Sequence, residues 1–149
     1  MAIETERKFL VRGEFRHLAT KKTEIIQTYL VIDSLKTIRI RLAGDRAFLT
    51  IKGRPFKGSI SRNEWETEIK VNDAREMMNI CLPGKVVKTR YIVPFAGHRF
   101  EVDEFHDKNE GLVIAELELK SESDRFESPD WLGEEVTGRS EYYNANLIK

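Results

Sequence analysis

Charged residues in this chain recur at every second position and are sorted by sign. In the opening segment, Met1–Val11, Glu4, Glu6 and Lys8 alternate with Ile3, Thr5, Phe9 and Val11. Glu64, Glu66 and Glu68 repeat the pattern within Ser61–Val71, and Glu116 with Glu118 within Leu112–Leu119. Arg39 with Arg41, and Lys88 with Arg90, repeat it with the opposite sign. A period of two sets each group on one face of a β-strand. One such strand would suit a solvated sheet face, but like charges two residues apart repel, and a free surface usually mixes signs for cross-strand pairing. The opposite faces carry Ile38, Ile40 and Leu42; Trp65, Ile69 and Val71; and Ala115, Leu117 and Leu119, all of which need cover. A closed antiparallel barrel with its charges inside and helices over its apolar exterior meets both demands.

Further along the chain, the residue pattern predicts a helical turn at Glu14–Leu18 and strands over Thr23–Ile32, Thr37–Leu42, Ala47–Lys52, Ser61–Val71, Lys85–Val93, Arg99–Phe105 and Leu112–Leu119. Turns fall at Ala43–Arg46 and Pro94–Gly97, and Gly53–Ser59 reads as a loop with basic residues. Asn72-Asp73 predicts the cap of a helix over Ala74–Cys81, ended by Pro83-Gly84. Glu134–Thr137 reads as a connection and Tyr142–Ile148 as a final helix. The fold class is therefore α+β, mainly β: a closed eight-stranded antiparallel barrel with helices packed outside, as one domain over residues 1–149. Trp65, Met77, Met78 and Trp131 are expected in the core or under a helix.

Lys+Arg and Asp+Glu each number 25, and this balance argues against nucleic acid or an anionic membrane as partner. One cysteine, Cys81, excludes an internal disulfide framework, and no run approaches a membrane span; both features predict a cytoplasmic chain and leave a homodimer open.

An inward charged face has a defined chemistry. Clustered carboxylates without basic partners have raised pKa values or need a cation, and glutamates suit hard Mg²⁺ or Mn²⁺. Zinc is disfavoured, because His17, His98 and His106 lack ligand spacing. Lys8, Arg39, Arg41, Lys52, Lys88 and Arg90 form a basic wall suited to a polyanion, with Arg able to grip two phosphate oxygens. A chain of three phosphates, carrying roughly four negative charges, matches this wall better than one phosphate. No glycine-rich phosphate loop or nucleophile elbow is present.

Those residues carry a family resemblance. Glu4-Thr5-Glu6-Arg7-Lys8 matches a Glu-x-Glu-x-Lys signature. Tyr29, Arg39-Ile40-Arg41, Thr50-Ile51-Lys52, Ser61 to Glu66, Lys88 to Tyr91, Val102-Asp103-x-Phe105, Ala115 to Glu118, Glu134 to Thr137, Tyr142 and Asn144 follow in order. The chain resembles the CYTH domain of the triphosphate tunnel metalloenzymes, particularly the short bacterial members; Thr5, where Ile is common, is a mild departure. The resemblance implies an eight-stranded tunnel that binds a triphosphate end-on with divalent metal. It implies phosphate contacts at Lys8, Arg39, Arg41, Lys52, Lys88 and Arg90. Glu4, Glu6, Asp103, Glu116 and Glu118 are the expected metal ligands, with Glu116 and Glu118 favoured. Lys8, Lys52, Glu64, Glu66 and Tyr29 take catalytic roles, Tyr29 acting with Lys52 in proton transfer. The activity implied is metal-dependent hydrolysis of inorganic tripolyphosphate, with nucleoside triphosphates as weaker substrates. The alternatives are an adenylate cyclase and a non-catalytic module that binds polyphosphate or nucleotide.

Overall fold

The computed structural model describes residues 2–148. Among them the strands are β1 (Ile3–Val11), β2 (Lys21–Ile32), β3 (Lys36–Ala43), β4 (Arg46–Gly53), β5 (Ser61–Ile69), β6 (Val86–Phe95), β7 (His98–Phe105), β8 (Val113–Leu119) and β9 (Leu132–Glu135), with one α-helix, α1 (Val71–Met78). Met1, expected in the first strand, lies outside the described residues.

Eight strands run in the order β5-β4-β3-β2-β6-β7-β8-β1, all antiparallel, and β5 pairs with β1 to close the barrel. Closure is completed by dividing one edge of β1. Ile3, Glu4 and Thr5 pair with β5, whereas Phe9 and Val11 pair with β9. Between these stretches Lys8 is held from outside the ladder, its amide donating to Thr137 Oγ1 and its carbonyl accepting from the Val136 amide. The predicted connection at Glu134–Thr137 is thus partly the strand β9. Both its glutamates are exposed, neither lines the interior cavity, and Glu135 pairs with Arg7.

The exterior is covered as the apolar faces demand. Phe9, Tyr91, Val93, Phe100, Val102, Leu117 and Leu119 pack with Phe15 and Trp131 from the connecting segments and with Leu132 of β9. α1 sets Ala74 against Ile40 and Ala47, flanked by Met77 and Met78. This helix begins at Val71 with Lys70 as its cap, and no side chain caps it, so Asn72-Asp73 lies inside the first turn instead of preceding it. One α-helix replaces the expected set; the segment at Glu14–Leu18 and the tail form only 3-10 turns, at Arg16–Leu18, Ser140–Tyr142 and Asn144–Asn146. Trp65, expected under cover, is 52% exposed, because α1 lies over β3 and β4 and does not reach it.

β6 runs through Pro94 to Phe95, and the hairpin turn is Ala96-Gly97 alone, with φ of 48° and 80°. Pro94 is tolerated because the neighbouring β2 pairs no further along β6 than Ile92, so no ladder bond requires its missing N–H.

At one end of the barrel the inward face turns from charged to apolar. Val86, Phe105 and Ile114 share their strands' inward parity with Lys88, Asp103 and Glu116, and they cluster with Leu147, Ile148 and Tyr142 of the tail. This plug closes the barrel beneath the charged interior. Among the described residues no helix is long and apolar enough to cross a membrane.

Candidate functional site: a charged cavity inside the barrel

A cavity of about 350 Å³ occupies the barrel and is lined by Glu4, Glu6, Lys8, Tyr29, Arg39, Arg41, Lys52, Glu64, Glu66, Lys88, Arg90, Glu116 and Glu118. Every side chain expected at the site reaches this cavity except Asp103. Pairing registers explain the convergence: Lys8 lies opposite Glu116, Glu6 opposite Glu118, Lys52 opposite Glu64, and Arg90 opposite Asp103.

The charges are not evenly neutralised. Lys52 Nζ pairs with Glu4 and Glu64, both at 3.1 Å, and Arg62 adds a second contact to Glu4. Burial by itself would raise Glu4, but Lys52 and Arg62 outweigh it and hold the carboxyl below its usual range. Glu116 is held still more firmly, by Lys8 Nζ at 2.8 Å and Arg90 at 3.1 Å, and it falls well below its ordinary value despite its burial. Glu6 and Glu118 have no side-chain partner among the described residues. Burial, with the Glu116 charge nearby, pushes Glu6 up to about 8; burial, Glu4 and Glu64 raise Glu118. Glu4 and Lys8 are buried and Glu6 half-buried.

Asp103 stands behind the basic wall. It is 1% exposed, receives two hydrogen bonds from Arg90 (2.7 and 2.8 Å) and pairs with Lys88 at 2.7 Å. Both its oxygens are taken by cations, and it is absent from the cavity lining. Burial opposes its ionisation, but Arg90 and Lys88 prevail and lower its pKa. Asp103 is shared between Lys88 and Arg90, and neighbouring Arg41 has no carboxylate partner among the described residues. Burial, then Arg39 and Arg90, bring Arg41 down to about 9; burial, Arg90 and Arg41 bring Lys88 down to about 7. Arg39 Nε is buried without a hydrogen-bond partner. Around a single cavity, two carboxylates, Glu6 and Glu118, therefore have no cation, and Arg41 has no carboxylate partner among the described residues.

A hard divalent cation suits the two carboxylates. Among the described residues no three or more of His, Cys, Asp and Glu gather closely enough to hold a metal by themselves. Glu6 and Glu118 would supply two hard oxygen donors, with other positions left to water and phosphate oxygens, the usual manner of Mg²⁺ binding. Glu116, favoured from the sequence, is already committed to Lys8 and Arg90.

Several wall residues escaped the sequence reading. Glu101 and Arg62 line the cavity two residues before Asp103 and Glu64, so the same period marks them. Asn144 also lines it and accepts from Lys88 Nζ at 2.8 Å, but no periodicity reveals a tail residue folded back over the barrel. Tyr29 is hydrogen-bonded to Gln27 rather than to Lys52, its expected proton-transfer partner.

The CYTH domain profile matches residues 2–148. The chain belongs to the CYTH domain family. It is similar to the inorganic triphosphatase of Acetivibrio thermocellus, with 43% identity over 150 aligned residues covering 100% of this chain and 95% of that protein. It is also similar to the inorganic triphosphatase of Nitrosomonas europaea, with 35% identity over 149 residues, 97% of this chain and 95% of that one. A crystal structure of an inorganic triphosphatase matches with a TM-score of 0.66 and 32% identity, covering 99% of this chain and 95% of that chain. The closed barrel expected from alternation and the CYTH family expected from the resemblance are both found.

Proposed function

We propose that this CYTH protein hydrolyses inorganic triphosphate to pyrophosphate and orthophosphate in a divalent-metal-dependent reaction. The observation that carries the reading is a paired deficit inside one cavity: among the described residues Arg41 has no carboxylate partner, Lys88 has Asp103 alone, which it shares with Arg90, and Arg39 has only a 3.7 Å contact to Glu66 and a buried Nε without a hydrogen bond, while Glu6 and Glu118 have no cation. A polyphosphate with a bound cation supplies both at once. The two relatives above 30% identity are named inorganic triphosphatases, which favours hydrolysis over cyclisation or passive binding.

In this reading Lys8, Arg39, Arg41, Lys88 and Arg90 grip the non-bridging phosphate oxygens, and Asp103 positions Arg90 and Lys88 from behind. Glu6 and Glu118 hold Mg²⁺ or Mn²⁺, with Glu4 and Glu116 beside them; when bound, the ion neutralises phosphate charge and acts as a Lewis acid. Glu66, which lines the cavity and accepts from the Thr50 hydroxyl at 2.7 Å, accepts a proton from the attacking water, with Glu64 alongside. Water oxygen bonds to the terminal phosphorus as the bridging P–O bond breaks. Lys52 and the arginines stabilise the charge that develops on the departing pyrophosphate oxygen.

The test is a metal-dependent assay across tripolyphosphate, ATP and thiamine triphosphate, resolving orthophosphate from cyclic AMP. Turnover should be fastest on tripolyphosphate. Cyclic AMP as the main product from ATP, or tight tripolyphosphate binding without turnover, would overturn it.

A further inference from the structure

One amide ties the basic wall together. Gln27 on β2 is wholly buried. Its Oε1 accepts from Arg41 Nε at 3.0 Å, and its Nε2 donates to the Tyr29 hydroxyl at 3.3 Å and to Asn144 Oδ1 at 3.1 Å. Asn144 Oδ1 also accepts from Lys88 Nζ. The orientation of both amides follows from their partners: guanidinium and ammonium groups have no acceptor, so an oxygen must face each of them.

The consequence lies in what each partner has left. Arg41 commits Nε to Gln27 and keeps its two terminal nitrogens. Tyr29 accepts a hydrogen bond from Gln27 at its oxygen, which leaves its own O–H to point elsewhere. Asn144 commits its oxygen twice and keeps Nδ2. Arg41, Tyr29 and Asn144 all line the cavity. Each therefore meets a ligand as a donor, and a wall of donors suits a molecule whose outer atoms are all acceptors.

We propose that Gln27 is a positioning residue for the polyphosphate anion: through one side-chain amide it commits Arg41, Tyr29 and Asn144 to face the cavity as donors. The inference rests on the reading of this cavity as a polyphosphate site. It adds that the wall's selectivity for anions is set partly by a neutral side chain that does not line the cavity.

The test compares wild type, Gln27→Glu and Gln27→Met in the full chain. It measures calorimetric binding of tripolyphosphate without metal, and steady-state kinetics with Mg²⁺. In Gln27→Glu the new carboxylate accepts from Tyr29 and Asn144 and neutralises Arg41. Kd and KM should both rise more than about tenfold, with kcat changed by less than about threefold. Gln27→Met, of similar size, should raise Kd and KM by a smaller factor, since Arg41 and Asn144 lose an anchor without acquiring a repulsive one. A residue that only packs would lower the melting temperature in both variants and leave Kd and KM in place. If both variants fold by circular dichroism and bind tripolyphosphate within about twofold of wild type, the proposal is overturned. Should Gln27→Glu not fold, the Kd of Gln27→Met decides alone. A wild type that binds tripolyphosphate but does not hydrolyse it would sink the hydrolase reading, while the ranking of variant Kd values still decides this one. A wild type that binds no polyphosphate overturns both.

Discussion

Replacing Asp103 by Asn tests whether this carboxylate holds the wall or a metal. Asp103 and Lys88 are each 1% exposed, and Asp103 carries three short contacts to Arg90 and Lys88. Asn keeps the shape but removes the charge and turns an NH₂ group towards a cation. Removing one partner from a buried ion pair costs about 3–5 kcal/mol, because the remaining charge is left uncompensated. For a chain of this length, that corresponds to a fall in melting temperature of about 6–20 °C. The pH dependence has a definite sign. The folded-state pKa of Asp103 is lowered, so its stabilisation is present above the unfolded value and is lost as pH falls through the folded one. Wild type and variant should therefore differ fully at pH 7 and converge in acid. Adding Lys88→Met to Asp103→Asn removes one of the stranded cations, and the double variant should recover about 1–3 kcal/mol relative to additivity. Urea unfolding of the four proteins of this cycle gives the numbers. A loss below about 1 kcal/mol, accompanied by at least a tenfold rise in the metal concentration needed for turnover, would refute the reasoning and make Asp103 a ligand.

Glu6 gives the opposite sign. Its folded-state pKa of about 8 lies above its ordinary 4.5, so the metal-free fold loses stability as pH rises between those values. Glu6→Gln should thus be more stable than wild type at pH 9 and equal to it near pH 4 in urea titrations without metal; equal midpoints at both pH values would refute this. Mg²⁺ or Mn²⁺ at pH 8 should raise the wild-type melting temperature by more than that of Glu6→Gln. Gly84 has φ of +94°, and a Cβ there would lie 1.8 Å from the Ile148 carbonyl oxygen. Gly84→Ala should displace the tail and the Asn144 contact with Lys88, costing about 1–3 kcal/mol and weakening tripolyphosphate binding in the same protein. Unchanged binding with reduced stability would separate the tail's packing from any part in the site.

How far the site could be read in advance depends on what kind of information each residue carries. Alternation along single strands places Glu4, Glu6, Lys8, Arg39, Arg41, Lys52, Lys88 and Arg90 on inward faces, because the period of two is a property of the local backbone. It also foretells the barrel, since apolar residues between charges require an exterior to cover. Trp65 obeys the same period, yet it is half-exposed. Which stretch of exterior a helix covers depends on where the chain crosses the barrel, and local sequence does not encode that.

The sequence by itself determined the inward set, its segregation by sign and its suitability for a metal-bound polyanion. Only the tertiary structure decided how those charges are spent. Glu6, Glu116, Glu118 and Asp103 look alike as acidic residues with period-two neighbours. In the barrel Glu116 and Asp103 are saturated by Lys8, Arg90 and Lys88, while Glu6 and Glu118 remain without cations. The difference arises from register between strands that are distant in sequence, such as Lys8 opposite Glu116. It also arises from a tail that returns to set Asn144 against Lys88. Pairing across the barrel is a property of closure, and no single strand contains it.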